Sequence, residues 1–267
     1  MTRSYALGHA DEELARLEHQ AAMLAPATGL ILRQAGIAPG MRVLDLGTGT
    51  GDVARLVADL VGPTGAVVGL DRSPDALVAA ERLSADVPNI SFVEGDVAMW
   101  RDGEFDAVVG RLVLVHTTDP TAVLRHHAGA LRPGGVAVAM EFDMTGARTV
   151  PPTPVAAQAR DWICGAIERA GMDPGLGARL GAVFGGAGLG EPTMVGVQGY
   201  HPAGDVNGPL VLAGVLRAML PLVVATGTAT AEQVDVGTVR ERVERELAEA
   251  GAVFVPPTLV GAWARRR

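Results

Sequence analysis

The chain has no lysine; all 22 of its basic residues are arginine. Together with 35 glycines and abundant alanine, this reads as GC-rich coding of the actinobacterial kind rather than as a functional signal. There is one cysteine, Cys164, which excludes an internal disulfide and suggests no zinc cluster or other metal site. Cys164 falls in an apolar stretch of helical spacing, so it reads as a small core residue and not a nucleophile. Basic stripes are also missing. Apart from the tail Arg265-Arg266-Arg267 the balance is acidic, −8 overall with a pI of about 5.2, which disfavours an RNA or DNA partner. Met1 to Tyr5 carry no apolar signal region, so a cytoplasmic location is expected. The most apolar run, Leu210 to Ala225, is interrupted by Arg217 and Pro221 and is short for a span. No membrane partner is expected, and a buried or substrate-covering helix is the better reading. With 267 residues the chain can bury a substantial core, and one globular domain with an elaborated edge is expected.

What is present is organised around Val43-Leu44-Asp45-Leu46-Gly47-Thr48-Gly49-Thr50-Gly51-Asp52. An apolar run of this length reads as a buried parallel strand. The three glycines at alternate positions let the backbone turn sharply and approach a ligand closely. After Gly51, the spacing of Val53, Leu56, Val57, Leu60 and Val61 predicts a helix. Strand, Gly-rich turn and helix in that order is the context in which such a motif is meaningful. A second apolar strand, Ala66 to Leu70, runs into Asp71. An acid at that strand end can accept both hydroxyls of a ribose, whether of a nicotinamide or of an adenosyl cofactor.

The spacing Asp45-x-Gly47-x-Gly49-x-Gly51 departs from a plain G-x-G-x-x-G. Here the chain resembles the class I S-adenosylmethionine (SAM)-dependent methyltransferases, in particular the small-molecule branch of ubiquinone and menaquinone methyltransferases and actinobacterial natural-product enzymes. Further motifs extend the match. Ile90 to Val93 reads as a third strand, followed by Glu94-Gly95-Asp96-Val97. The turn Leu131-Arg132-Pro133-Gly134-Gly135 before an apolar strand, Val136 to Met140, is a strong marker of the family. Tyr5-Ala6-Leu7-Gly8-His9 resembles the opening of several bacterial members, including enzymes that methylate indole carbon. The likeness covers about Tyr5 to Asp143 well, and the remainder by pattern only.

The resemblance implies an α/β fold: a Rossmann-like, seven-stranded, mostly parallel sheet with helices on both faces, an N-terminal helical segment and a helical lid. It divides the chain into an N-terminal helical cap (1–36), a SAM-binding core (37–143) and lid helices with the remaining strands (144–267). It places the last strand antiparallel between the fifth and the sixth. It implies SAM as cofactor, with S-adenosylhomocysteine as product, held by Asp45, Gly47, Thr48, Gly49, Asp71, Arg72 and Arg111. Asp96 would meet the adenine amino group and the Val97 amide a ring nitrogen.

Along the chain, Asp11 to Gln34 reads as two helices, with Asp11 as a cap and Leu14 and Leu17 on one face. Ser73-Pro74-Asp75 starts a helix, and Gly62-Pro63 stops one. Phe105 to Gly110 is a fourth strand. Arg111 to His116 continues from its end, where ligands sit in an open α/β sheet. Arg111 there either touches the methionine part of SAM or positions the loop. His116, Glu141 and Tyr5 are the candidate catalytic residues, with Asp143 beside Glu141 at the next strand end. His126 and His127 lie mid-helix, away from the expected site. Beyond Pro151-Pro152, helices are expected over Val155 to Ala170, Gly177 to Ala187 and Ala231 to Ala250. Strands are expected over Thr193 to Tyr200 and, interrupted by Pro256-Pro257, over Ala252 to Trp263.

The function expected is methyl transfer to a small, largely apolar, aromatic or indole-type secondary metabolite, mainly by positioning. The expected partners are that acceptor and, in a homodimer, a second copy of the chain. A SAM-binding member that transfers nothing, such as a cyclase, is the alternative. A nicotinamide-dependent dehydrogenase fits less well, because the Asp45 motif argues against it and a lysine-free chain has no Tyr-x-x-x-Lys pair.

Overall fold

The computed structural model describes residues 11–267, with side chains from residue 21. Tyr5, the segment 5–9 and the side chains of Asp11, Leu14 and Leu17 lie outside the described residues. Asp11–Gln34 is one helix, α1, not the two expected, and Pro26 sits inside it. An interior proline costs roughly 3 kcal/mol through its missing N–H. The following turns bury Ile31 and Leu32 completely, worth about 1.5–3 kcal/mol each, which offsets that cost.

Alternating strands and helices follow: β1 (Arg42–Leu46), α2 (Asp52–Val61), β2 (Ala66–Asp71), α3 (Pro74–Leu83), β3 (Ile90–Glu94), β4 (Phe105–Arg111), a short 3-10 turn (Leu114–His116), α4 (Pro120–Ala128) and β5 (Leu131–Asp143). Gly62 closes α2, and the Ser73 hydroxyl caps α3 by accepting from the Ala76 N–H, with Pro74 in the first turn. These are the stop and start signals read from the sequence. The chain goes on with β6 (Arg148–Val150), α5 (Pro154–Arg169), α6 (Leu176–Gly186), β7 (Thr193–Val197), α7 (Asn207–Ala225), α8 (Ala231–Val234), α9 (Val239–Ala250), β8 (Val253–Val255) and β9 (Thr258–Arg265).

The main sheet has seven strands in the order β3-β2-β1-β4-β5-β9-β7, and β1 to β5 are parallel. The chain leaves β1 toward β2 and β3, then crosses to β4 on the other side. This makes the carboxyl ends of β1 and β4 the switch point at which open α/β sheets bind ligands. The fold expected from the family resemblance is therefore the one observed. Gly134 N–H donates to Arg266 O, and Arg266 N–H to Gly135 O, so the start of β5 meets the end of β9 and the two run antiparallel.

Four further expectations need correction. The Leu131 to Gly135 turn belongs to one strand with Val136 to Met140. The register against β4 jumps from Leu131 to Val136, and the bonds to Arg266 hold the intervening bulge in line. The strand from Thr193 ends at Val197, not Tyr200. The helix expected over Ala231 to Ala250 is two, because Asp235 adopts a left-handed φ of 46° that closes α8. The last strand region belongs to two sheets: β8 pairs antiparallel with β6 in a separate ribbon, and only β9 joins the main sheet.

The chain divides into two compact units. One comprises Ala21–Glu141, Gly177–Gly196 and Val260–Arg267 and holds the parallel strands. Its strand interiors are near-continuous apolar runs, as burial on both faces requires: Val43, Leu44, Ala107 and Val109 are fully buried. The other includes Phe142–Leu176 and Val197–Leu259. Its core packs Ala159 and Ile163 of α5, Leu216 and Val223 of α7, and Val243 and Leu247 of α9 around Phe254. Among the described residues, α7 alone is long and apolar enough to cross a membrane, yet Ala213, Leu216 and Val223 of that helix lie in this core.

Candidate active site

The glycine-rich turn follows β1 with Gly47, Gly49 and Gly51 all at positive φ, 62°, 54° and 77°. Side chains rarely adopt that region, which explains the residue type. The three glycines nevertheless do different work. A Cβ on Gly47 would lie 2.5 Å from Val113 Cγ2, and one on Gly51 3.0 Å from the Phe92 ring. A Cβ on Gly49 would meet nothing within 4 Å. The outer glycines let the turn pack against protein; the middle one keeps an open face.

Asp71, half-buried at the end of β2, is bonded to the backbone of that middle glycine. Its Oδ2 accepts from the Gly49 N–H and its Oδ1 from the Ser73 N–H, both at 2.9 Å. Gly95 N–H donates to the Asp71 carbonyl at 2.9 Å, which ties the end of β3 to the same point. Beyond it, Asp96 closes a tight turn: its Oδ1 accepts from the Ala98 N–H at 2.8 Å and its carbonyl from the Trp100 N–H. Asp71, Asp96, Val97, Gly49 and Thr48 are thus brought to one edge of the sheet.

Asp45 plays a different part. It is only 1% exposed, and the Thr48 hydroxyl donates to its Oδ2 at 2.6 Å. Burial pushes its carboxyl up to about 7, against the Thr48 bond and the Arg111 charge, with Asp52 and Asp71 adding to the rise. It braces the turn from inside the protein. Arg111, at the end of β4, donates from Nη1 to the Thr28 hydroxyl of α1 at 3.0 Å and from Nη2 to Asp52 at the start of α2. Of the two roles open to Arg111, these contacts fit the positioning one.

Glu141 ends β5 buried, 1% exposed, and accepts from the Leu114 N–H at 2.8 Å. Burial pushes it up to about 8, opposed by the backbone N–H groups of Leu114, Val115 and Val113. Its carboxyl therefore faces the loop after β4. That loop departs from the strand through Leu112, whose φ of 55° is uncommon for such a residue. Val113 of the same loop packs against Gly47 and Gly110. A chain of contact runs from Glu141 through the loop to the first glycine of the turn. Asp143 does not share the Glu141 environment; it caps the next 3-10 turn by accepting from the Thr145 N–H at 3.0 Å. His116 is at the end of the loop. Loss of solvent on its protein side, and then the positive charge of Arg72, lower its pKa. Arg72 itself is exposed beside Asp71.

Some residues were not singled out by sequence. Val113 carries no signal of its own, because its role is to fill the space that Gly47 leaves. His127 is buried on α4 with Nε2 2.6 Å from the Val97 carbonyl, and His126 Nε2 is 2.8 Å from the Trp100 carbonyl. The two histidines back the Asp96–Trp100 turn, nearer to the site than their mid-helix position suggested. Their adjacency in sequence was the only hint.

Residues 37–166 match the family described as a methyltransferase domain. The ubiquinone/menaquinone biosynthesis C-methyltransferase UbiE of Ectopseudomonas mendocina is 38% identical over 116 residues, 42% of this chain and 45% of the relative. The demethylmenaquinone methyltransferase of Staphylococcus aureus is 32% identical over 113 residues, 42% of this chain and 47% of the relative. The match spans about half the length of these curated relatives. Among solved structures, the [4+2]-cyclase SpnF superposes with a TM-score of 0.52 at 18% identity, covering 89% of this chain and 80% of that one, which shows the shared fold. Residues 37–166 thus match a methyltransferase domain, and SAM is the cofactor that this match supports. The residues fit that group: an open face at Gly49, backbone N–H groups in a left-handed turn, and an acid at the end of the second strand.

Proposed function

We propose that the protein transfers a methyl group from SAM to a small, largely apolar ring compound, mainly by positioning. The observation that carries the reading is the open face at Gly49, whose N–H is bonded to the Asp71 carboxylate. We assign the ribose hydroxyls to Asp71, the adenine edge to Asp96 and the Val97 amide, and the closest backbone approach to Gly47, Thr48 and Gly49. When bound, SAM supplies an electrophilic methyl on its sulfonium, displaced in line by the acceptor. Holding the reactants at ~3–3.5 Å and aligned can supply much of the acceleration.

The acceptor is assigned to residues 144–267, where helices rich in alanine, valine and leucine favour an apolar compound. The names of the curated relatives favour a quinone-type ring over an indole and a carbon over an oxygen acceptor. Glu141 is assigned to support of the 113–115 loop, since its carboxyl is buried against backbone N–H groups. His116, with a lowered pKa, is neutral at pH 7 and remains the residue able to accept a proton. Incubation with SAM and a panel of naphthoquinols, phenols and indoles tests the reading. S-adenosylhomocysteine should form with the quinol-type rings. SAM binding without turnover across the panel would support a non-transferring member of the fold instead.

A further inference from the structure

The unit that contains α5, α7 and β8 encloses a cavity of about 270 Å³. Its walls are apolar: Ala157 and Ile163 of α5, Leu212 of α7 and Phe254 of β8 among them. Small-molecule sites commonly occupy ~300–1,000 Å³, so this one suits a compact ligand of one or two rings. Nothing acidic lines it; the charged lining residues are Arg148 and Arg160.

The polar groups around the cavity are not equivalent. The Thr149 hydroxyl accepts from the Thr153 N–H at 2.7 Å and pairs with the Thr153 hydroxyl at 3.1 Å, so it is engaged within the protein. Arg160 donates from Nε and Nη2 to Asp161 Oδ1, at 3.0 and 2.7 Å, and from Nη1 to the Ala147 carbonyl at 3.2 Å. Its guanidinium is thereby held in place. Arg148, the more exposed of the two, donates from Nη1 to the Gly146 carbonyl at 3.0 Å. A guanidinium fork matches a carboxylate in geometry and charge. Apolar walls with the Arg148 guanidinium at the edge select an apolar body with one anionic end.

We propose that this cavity is a binding site for a small aromatic carboxylate, with the ring against Ile163, Leu212 and Phe254 and the carboxylate on Arg148. The proposal goes beyond the transferase reading, and the binding stands apart from SAM.

The test is calorimetry of the full chain with 2-naphthoate and with the neutral 2-naphthamide, both without SAM. Ala157→Phe, which fills a half-buried wall position, should weaken both ligands about tenfold through overpacking. Arg148→Gln, at an exposed residue, should weaken 2-naphthoate about tenfold and leave 2-naphthamide unchanged, the scale of a hydrogen bond to a charged group. Wild-type protein that does not bind 2-naphthoate, or an Arg148→Gln variant that binds it as the wild type does, would overturn the proposal. Parallel titration with SAM keeps the two readings distinct. Loss of naphthoate binding with SAM binding intact removes the cavity alone, whereas naphthoate binding without any SAM binding removes the transferase reading alone.

Discussion

Replacing Glu141 by glutamine should leave the protein folded but remove a pH dependence of its stability. Glu141 is buried, and its carboxyl is raised from 4.5 to about 8, chiefly by burial. In the unfolded chain the same group loses its proton near its ordinary value. The contribution of the protonated form is therefore full at low pH and is lost as pH rises through the folded-state value. While only the folded state keeps the proton, stability falls by ~1.4 kcal/mol per pH unit, or roughly 3 kcal/mol between about pH 5 and about pH 7. Asp45, raised from 3.8 to about 7 by burial, pulls in the same direction, so the wild type alone cannot separate the two. The difference between wild type and Glu141→Gln can. Glutamine keeps an oxygen to accept from the Leu114 N–H but has no proton to lose. Urea unfolding at stepped pH should show the variant gaining on the wild type by about 3 kcal/mol over that window. A difference that stays constant would mean that Glu141 is ionised in the fold throughout, and that the three backbone donors outweigh burial. Glu141→Ala, by contrast, leaves buried N–H groups without their acceptor and should cost about 3 kcal/mol or more at any pH. It should also weaken SAM binding, because the loop then no longer presses Val113 under Gly47.

The first and middle glycines of the turn should respond differently to alanine. Gly47→Ala, forced against Val113 at a positive φ, should lose about 2–3 kcal/mol in thermal denaturation, whereas Gly49→Ala should lose only about 1 kcal/mol of backbone strain. Gly49→Ala should nevertheless bind SAM about tenfold more weakly, a cost of ~1.4 kcal/mol, and unchanged affinity would move the cofactor off this turn. Asp71→Ala should weaken SAM by roughly 1.5–3 kcal/mol, and calorimetry with no change would remove Asp71 from the ribose site. His116→Ala should slow single-turnover transfer by less than about tenfold. A loss of about a hundredfold, together with disappearance of a wild-type rate rise centred below 6.5, would make His116 the general base.

What could be read from the sequence was local. The turn after β1, the acid ending β2 and the Ser73-Pro74 start of α3 are each specified by neighbours in the chain, and each forms where expected. What escaped depends on distant partners. The Leu131 to Gly135 stretch looks like a turn until Arg266, at the far end of the chain, pairs with Gly134 and Gly135. The three-residue strands β6 and β8 are too short to announce themselves and exist only as each other's partner. α1 passes through Pro26 because burial further along the helix outweighs a local signal that would otherwise break it.

The same division runs through the site. Three glycines in an alternating pattern look equivalent as a motif, and all three do adopt positive φ. Which one keeps an open face is decided elsewhere, by Val113 occupying the space beside Gly47 and Phe92 the space beside Gly51. Val113 is placed in turn by a loop whose backbone donors converge on Glu141, a residue whose strand-end position suggested chemistry on a substrate. A buried acid that cannot reach solvent, yet holds three backbone donors, acts on the site by fixing the turn. In this proposed role its acid–base state matters for the fold of the loop and not for proton transfer, and for that reason the Glu141→Gln comparison should read in stability before it reads in rate.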